Sequence, residues 1–204
     1  AFTRWCSLYK DYGLPVSYDF YNRFRTGEIP LAIASYTEFA RLESAAPEIR
    51  GLWEMAPIPG AARSDGTIDR AQAGSGSACV ILSRTEKLEA SWDFLKWYCS
   101  AEAQTRYAKD VEAQMGLLAR VAVANSEALA SLAWTKDQLA AIEEQRRDVR
   151  EIPEVLGGYY LIRGLDNAFR DVVYEGKNPR ESLVLYDKQV NGEIQRKRKE
   201  FGLE

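Results

Sequence analysis

The sequence of 204 residues contains no histidine. Histidine is the usual general base near neutral pH, a common metal ligand and the partner in Ser–His and Cys–His pairs. Its absence argues against those three kinds of site. The closest acidic pairs, Glu143–Glu144 and Glu151/Glu154, have patterns typical of a helix surface or a loop, and nothing indicates that two carboxylates face each other across a bond. We therefore predict no catalytic residues, no metal site and no cofactor, and we expect that the protein is not an enzyme.

Cysteine is scarce, and long apolar runs are absent. The three cysteines, Cys6, Cys79 and Cys99, are far apart, and an odd, sparse set is not a disulfide framework. Each has apolar neighbours, so we predict three small buried side chains. No run of about 18 apolar residues occurs that would span a membrane. The sequence also lacks an initiator methionine and a secretory leader and opens in a helical pattern, so we expect a piece of a longer protein.

The chain has no excess of basic charge. It contains 27 lysine and arginine residues against 30 aspartate and glutamate residues, giving a net charge of −3. A nucleic-acid surface requires a basic patch, and the basic cluster at residues 196–199 suits the end of a solvated helix. We therefore predict that nucleic acid is not a partner.

Glycine, proline and capping residues divide the chain into helices and a few short strands. Apolar runs predict strands at residues 30–35 and 78–82, and alternation of apolar residues predicts a strand at 52–56. Asp65-Gly66 predicts a hairpin turn. Helices are predicted at residues 2–12, 18–25, 36–46, 101–114 and 158–175. Further helix starts are predicted from the capping boxes Ser83–Glu86 and Thr135–Gln138 and from the N-caps Asn125 and Asn178. Buried stripes are predicted for the helix after Ser83 (Leu88, Trp92, Leu95 and Cys99) and for the 158–175 helix (Leu161, Leu165, Ala168 and Val172). Together they indicate a helix-rich α/β class.

Residues 155–185 are the most informative stretch. A glycine pair ends an extended run, and Tyr159, Tyr160 and Arg163 then open an amphipathic helix. A helix start can hold a polar ligand through its backbone N–H groups. Because no bond-breaking residues accompany it, the stretch indicates binding rather than catalysis.

Five stretches, in order, resemble the C-terminal half of one protein family. They are residues 27–36 (GEIPLAIASY), 53–60 (WEMAPIPG), 74–77 (GSGS), 90–97 with 100–104 (ASWDFLKW and SAEAQ), and 157–179. The family is that of the extracellular solute-binding proteins of family 1, which are maltose-binding-like and have the type II periplasmic-binding fold. Its members are the binding subunits of ABC importers for sugars and oligosaccharides, and the resemblance covers essentially the whole chain.

The resemblance implies half of a two-lobed protein. It assigns residues 1–72 and 121–204 to the C-terminal lobe, and residues 73–120 to the N-terminal lobe, without the sheet partners of that lobe. An unpaired sheet edge invites dimerisation, here through the 73–120 segment. The resemblance further implies a carbohydrate ligand, the membrane subunits of an ABC importer as partners, an extracellular or periplasmic location, and a lipoprotein anchor in the full-length parent.

Sugar sites place aromatic faces against the C–H side of a pyranose, and polar groups then bind the hydroxyls. Tyr159, Tyr160 and Arg163 fit this description, with helix packing or solvent exposure as the alternatives. Ser35 and Tyr36 follow a predicted strand at its carboxyl end, where α/β folds bind ligands. Helix capping is the competing interpretation for Ser35.

Two further groups complete the predicted ligand site. Gly74, Ser75 and Gly76 either bring backbone close to the ligand or form a flexible crossover. Trp53 is a ligand candidate, although its alternation with apolar neighbours also fits core packing. Two other functions stay open, namely a fragment of a carbohydrate-active enzyme and a helical interaction module that assembles through residues 73–120.

Overall fold

The computed structural model describes residues 1–74, 76–151 and 154–203. Nine α-helices and four two-residue strands occur in these ranges: α1 (Phe2–Lys10), α2 (Phe20–Arg25), α3 (Glu38–Ala45), β1 (Ala61–Ala62), β2 (Ile68–Asp69), β3 (Gln72–Ala73), α4 (Leu88–Tyr98), α5 (Ala101–Met115), α6 (Ser126–Ala130), α7 (Lys136–Arg147), β4 (Val149–Arg150), α8 (Tyr159–Val173) and α9 (Pro179–Glu200). The fold is helix-rich with small sheets. None of the described helices combines the length and the apolar character that crossing a membrane requires.

Local signals set most helix boundaries. Thr135 and Gln138 form the predicted capping box of α7, because each side chain bonds the backbone N–H of the other residue. The side chains of Asn125 and Asn178 cap α6 and α9 as predicted. The Asp65-Gly66 turn joins β1 and β2, which pair antiparallel with Ala61 opposite Asp69. These predictions are confirmed. Each depends on residues a few positions apart, so none requires a distant partner.

The contacts divide the chain into unit 1 (Ala1–Tyr18 and Ile152–Glu204) and unit 2 (Asp19–Glu151). The division into lobes implied by the resemblance is a different one, and it stays a prediction.

Unit 1 is built on the packing of α8 against α9, with α1 alongside both. Its core contains Cys6, Phe169 and Val172, and the ring centroid of Trp5 lies 4.6 Å from that of Phe169. Gly164 allows close approach of the two long helices, because a Cβ there would lie 2.9 Å from Val190 Cγ2. The absence of a side chain at Gly164 therefore allows α8 and α9 to pack closely at this point.

The predicted buried stripe of α8 is partly wrong. Ala168 and Val172 are buried, but Leu161 and Leu165 are exposed. The buried face is rotated toward Gly164 and Phe169, since the contact with α9 forms where the missing glycine side chain leaves room.

The main core of unit 2 lies among α5, α6 and α7 and the residues between them. Its buried side chains are Ala108, Val123, Ala128, Leu129, Leu132 and Ile142. In α3, Phe39, Ala40 and Leu42 are also buried. The strand pair β3–β4 is parallel, with Gln72 opposite Val149.

The three predicted strands do not form. Residues 30–35, 52–56 and 78–82 have no regular secondary structure. Leu31 is 88% exposed, and Val80 is 78% exposed. A strand requires a neighbour for its backbone N–H and C=O groups, and the two ladders among the described residues are β1–β2 and β3–β4. These three segments therefore have the apolar sequence of strands but no neighbouring strand to pair with among the described residues.

The predictions for the start and buried face of α4 are wrong. The helix begins at Leu88 with Lys87 as an N-cap that makes no side-chain bond, so Ser83 and Glu86 do not form its capping box. In the predicted stripe, Leu88, Trp92 and Cys99 are exposed and Leu95 is half-buried.

The prediction of three buried cysteines is confirmed for Cys6 alone, because Cys79 and Cys99 are exposed. Cys79 lies within the 78–82 segment, where Val80 and Leu82 are also exposed, and Cys99 is the C-cap of α4, where Trp92 and Trp97 are also exposed.

Candidate functional site

The predicted ligand residues are distributed over both units. Tyr159, Tyr160 and Arg163 belong to unit 1, whereas Ser35, Tyr36, Trp53, Gly74 and Gly76 belong to unit 2. Ser75, a further candidate, lies outside the described residues.

A glycine turn positions the start of α8. Gly157 is buried and has φ of +80°. A Cβ at this position would lie 3.2 Å from Ile194 Cα, so the turn lies directly on the backbone of α9. The N–H groups of Tyr160 and Leu161 bond back to the carbonyls of Gly157 and Gly158. Two of the backbone donors expected to be available to a ligand are therefore already used.

Tyr159 is exposed at this helix start, and a contact with α9 fixes its hydroxyl group. The Tyr159 hydroxyl donates to Glu193 Oε1 at 2.5 Å, and Arg196 donates to both oxygens of the same carboxylate. The bond to the carboxylate raises the pKa of Tyr159. The hydrogen bonds from Arg196 and then Tyr159 lower the pKa of Glu193 to about 2. The Tyr159 ring is therefore held in place while 59% of the residue stays accessible.

Tyr160 lies in the first turn of α8, and Arg163 lies about one turn after it. The Arg163 guanidinium carbon lies 5.6 Å from the centroid of the Tyr160 ring, a cation–π distance. The rings of Tyr159 and Tyr160 are 5.5 Å apart, edge to face. Tyr160 is half-buried, and Arg163 is exposed. The three side chains form an accessible aromatic and cationic group with few polar atoms used up by the protein.

In unit 2, Ser35 and Tyr36 lie just before α3. The Ser35 hydroxyl lies 2.9 Å from that of Thr37, and its carbonyl accepts from the Glu38 N–H, so Ser35 belongs to the turn that leads into the helix. Tyr36 is half-buried with its ring edge to face against Trp134, at a centroid distance of 6.3 Å. Burial raises the pKa of Tyr36 above its ordinary value.

Trp134 and Arg120, which the sequence did not indicate, lie beside Tyr36. The Arg120 side chain is 5% exposed and donates to both oxygens of Glu112, at 2.8 and 2.7 Å, and to the Ala133 carbonyl. Its guanidinium carbon lies 4.5 Å from the Trp134 ring centroid. One sequence signal existed: Trp134 immediately precedes the Thr135 capping box, the position of a hydrophobic staple. That signal predicts packing rather than a site.

Trp53 packs against two other rings. Its centroid lies 5.9 Å from that of Phe39 and 6.3 Å from that of Phe24. Its indole Nε1 is buried without a hydrogen-bond partner. The packing fits the core interpretation, and ligand contact by Trp53 stays a prediction.

The described glycines of the 74–77 stretch differ in their surroundings. A Cβ on Gly74 would lie 2.6 Å from Val149 Cγ1, so this glycine allows the close approach of β3 to β4. Around Gly76 there is open space. A role of either residue at a ligand stays a prediction.

An open groove with a volume of about 830 Å³ lies between residues 79–87 and α4. Its lining is mainly apolar, and Val80, Leu82 and Phe94 are exposed along it. Such a surface suits polypeptide packing better than a sugar, which requires convergent polar groups.

No group of three or more His, Cys, Asp or Glu side chains in the described ranges could hold a metal ion.

No protein-family model matches the chain, and no curated protein matches it.

Proposed function

We propose that this chain is the C-terminal half of an extracellular solute-binding protein of an ABC importer, and that the complete protein binds a sugar or oligosaccharide. The remaining half would supply most of the second lobe. Function would come from closure of the two lobes, an equilibrium that the ligand shifts because it binds the closed state better. The closed form would dock on the membrane subunits of the importer, with the parent held outside the cell or in the periplasm as a lipoprotein.

The observation that carries the proposal is the unpaired segment at residues 30–35. Its apolar, strand-length sequence ends at Ser35 and Tyr36, yet Leu31 and Ile33 are 88% and 72% exposed. In an α/β fold such a run is a buried strand, and its carboxyl end is where ligand-binding residues lie. The segment therefore lacks neighbouring strands that another part of a larger protein would provide.

The total exposed surface supports the same conclusion. The chain exposes 15182 Å². A monomeric protein of 23.0 kDa is expected to expose about 9,600 Å², and two separate globules of the sizes of units 1 and 2 about 11,500 Å². The excess is too large to result from division into two units. It agrees with a chain that requires additional polypeptide to cover its apolar side chains.

The sugar class rests on the resemblance and on the start of α8. Accessible Tyr159, half-buried Tyr160 and exposed Arg163 offer ring faces and donors in one place. Rings that the protein holds in position lose little conformational entropy when a pyranose stacks on them.

The test is thermal unfolding of the full-length parent with a panel of oligosaccharides. We expect at least one sugar to raise the melting temperature, and Tyr160→Ala to reduce that increase. Trp97→Ala is the matched control, because Trp97 is an exposed aromatic residue on α4 outside the predicted site. A panel in which no sugar changes the melting temperature would contradict a carbohydrate ligand.

A helical interaction module is the second candidate, and the exposed aromatic side chains of α4 favour it. Trp92, Phe94 and Trp97 are each more than half exposed on this one helix. Light scattering distinguishes the two functions, because an obligate dimer of the full-length protein that does not respond to any sugar would favour assembly.

A further inference from the structure

One side of α4 carries an apolar seam that is exposed. None of the eleven residues of this helix is buried. The seam consists of side chains spaced four, three and four residues apart, namely Leu88, Trp92, Leu95 and Cys99. Leu88 and Trp92 are 58% and 53% exposed, Cys99 is exposed, and Leu95 is half-buried. An exposed apolar stripe of this kind marks an interaction surface.

The spacing of the seam is that of the core positions of a coiled coil, which meet a second helix along their whole length. We propose that the seam is the interface of a homodimer, in which two copies of this chain pair their α4 helices antiparallel about a two-fold axis. This inference goes beyond the proposed sugar binding and does not depend on it, because the seam contains none of the predicted ligand residues.

The charges beside the seam favour a second copy of the same chain. Glu89 and Lys96 lie seven residues apart, each directly after a seam residue, so both flank the same edge. In an antiparallel pair that places Trp92 opposite Leu95 of the second copy, Glu89 of each helix comes beside Lys96 of the other. The two-fold axis repeats the contact, so one pair of side chains provides two ion pairs across the interface.

Both charged groups can make this contact. The Glu89 side chain has no hydrogen bond or ion pair within the part of the chain that the structure describes. Lys96 pairs with Asp93 of its own helix at 2.7 Å, and the remaining N–H groups of its ammonium can bind a second carboxylate. The edge of the seam is therefore complementary in charge to its own copy.

The antiparallel orientation follows from the same residues. A parallel pair would place Trp92 beside Trp92 and Cys99 beside Cys99, and Glu89 would not reach Lys96. The antiparallel pair places each large Trp92 ring beside a smaller Leu95 side chain. Charge and side-chain size therefore select the same arrangement.

The length of the seam limits the strength of the dimer. The eleven residues of α4 form about three helical turns. An interface confined to so short a seam buries less than about 1,200 Å² and belongs with weak, transient complexes. We expect a dissociation constant on the order of 10–100 µM.

The first experiment is sedimentation velocity on the 204-residue chain between about 5 µM and about 1 mM. We expect the sedimentation coefficient to rise from that of a monomer to that of a dimer. Trp92→Ala should weaken the dimer at least tenfold, because a central tryptophan is the typical hot spot of an interface. Trp97→Ala is the matched control and should leave association unchanged, since Trp97 is equally exposed but lies on another face of the helix.

The second experiment exchanges the two charges at low ionic strength. Glu89→Lys alone places two lysines beside each other at both ends of the seam, and Lys96→Glu alone does the same with two glutamates. Each should weaken the dimer at least threefold. The double variant restores opposite charges across the two-fold axis, so its affinity should return to within about twofold of the wild type.

The outcomes separate the possible occupants of the seam. A chain that stays monomeric up to about 1 mM overturns the inference and assigns the seam to polypeptide from outside this sequence. A dimer that Trp92→Ala does not weaken, or a charge exchange that does not restore affinity, overturns the antiparallel pairing of α4. The oligosaccharide panel tests the proposed function separately.

Discussion

Gly157→Ala should destabilise the start of α8 through both a backbone cost and a steric cost. An L-residue at φ of +80° costs about 1–2 kcal/mol. The added Cβ would also lie 3.2 Å from Ile194 Cα and 3.3 Å from the Glu193 carbonyl oxygen. Backbone atoms of α9 cannot rotate away as a side chain can, and overpacking of this kind costs about 1–3 kcal/mol. We therefore expect a total loss of about 2–4 kcal/mol.

Gly176→Ala is the matched control at the other end of α8. Gly176 has φ of +70°, and a Cβ there would meet nothing within 4 Å. It carries the backbone cost without the steric one, so about 1–2 kcal/mol is expected. The difference between the two variants isolates the contact of the Gly157 turn with α9.

The assay is amide hydrogen exchange, which reports the local stability of α8 and α9 in unit 1 without requiring that the chain unfold in one step. A loss of 2 kcal/mol speeds exchange about 30-fold. The Tyr159–Glu193 bond should weaken as well, since both residues lie beside the turn. Equal acceleration in the two variants would refute the reasoning, because it would mean that α9 moves aside at no cost.

Three further predictions concern single contacts. The pKa of Glu193 is lowered to about 2 from an ordinary 4.5, so the stabilisation by this carboxylate is complete above pH 4.5 and is lost as the pH falls toward 2. In Glu193→Gln, the melting temperature should therefore depend less on pH across this range than it does in the wild type. Arg120→Ala leaves Glu112 without its partner in a largely buried site, so urea unfolding should show a loss of about 3–5 kcal/mol, and an unchanged midpoint would count against the pair. Asn178→Ala removes the α9 cap and should cost about 1 kcal/mol, against a much smaller effect for the exposed mid-helix Asn191→Ala; equal effects on the urea midpoint would contradict capping.

The sequence predicts helix boundaries where the signal is local. The caps at Asn125, Thr135 and Asn178 were identifiable because the capping side chain bonds N–H groups two or three residues away. The Asp65-Gly66 hairpin was identifiable for the same reason. The 30–35 and 78–82 strands were not correctly predicted, since an apolar run specifies that a segment prefers burial but does not supply its partner.

The same distinction applies to the candidate site. The accessibility of Tyr159 follows from its place at a helix start after two glycines. The proximity of Tyr36, Arg120 and Trp134 does not follow from any spacing, because roughly 85 and 15 residues separate them. Packing of α3 against residues 117–119 contributes to bringing them together. The face that α8 buries likewise depends on a partner helix, which moved it away from Leu161 and Leu165.

Amide hydrogen exchange at residues 30–35 and 78–82, compared between this chain and its full-length parent, tests the central claim most directly. If the chain is half of a two-lobed sugar-binding protein, these segments exchange within seconds in the isolated chain and become protected by at least a hundredfold in the parent, where strands flank them. Equally fast exchange in both proteins would contradict the account, because the apolar segments would then have no sheet to join.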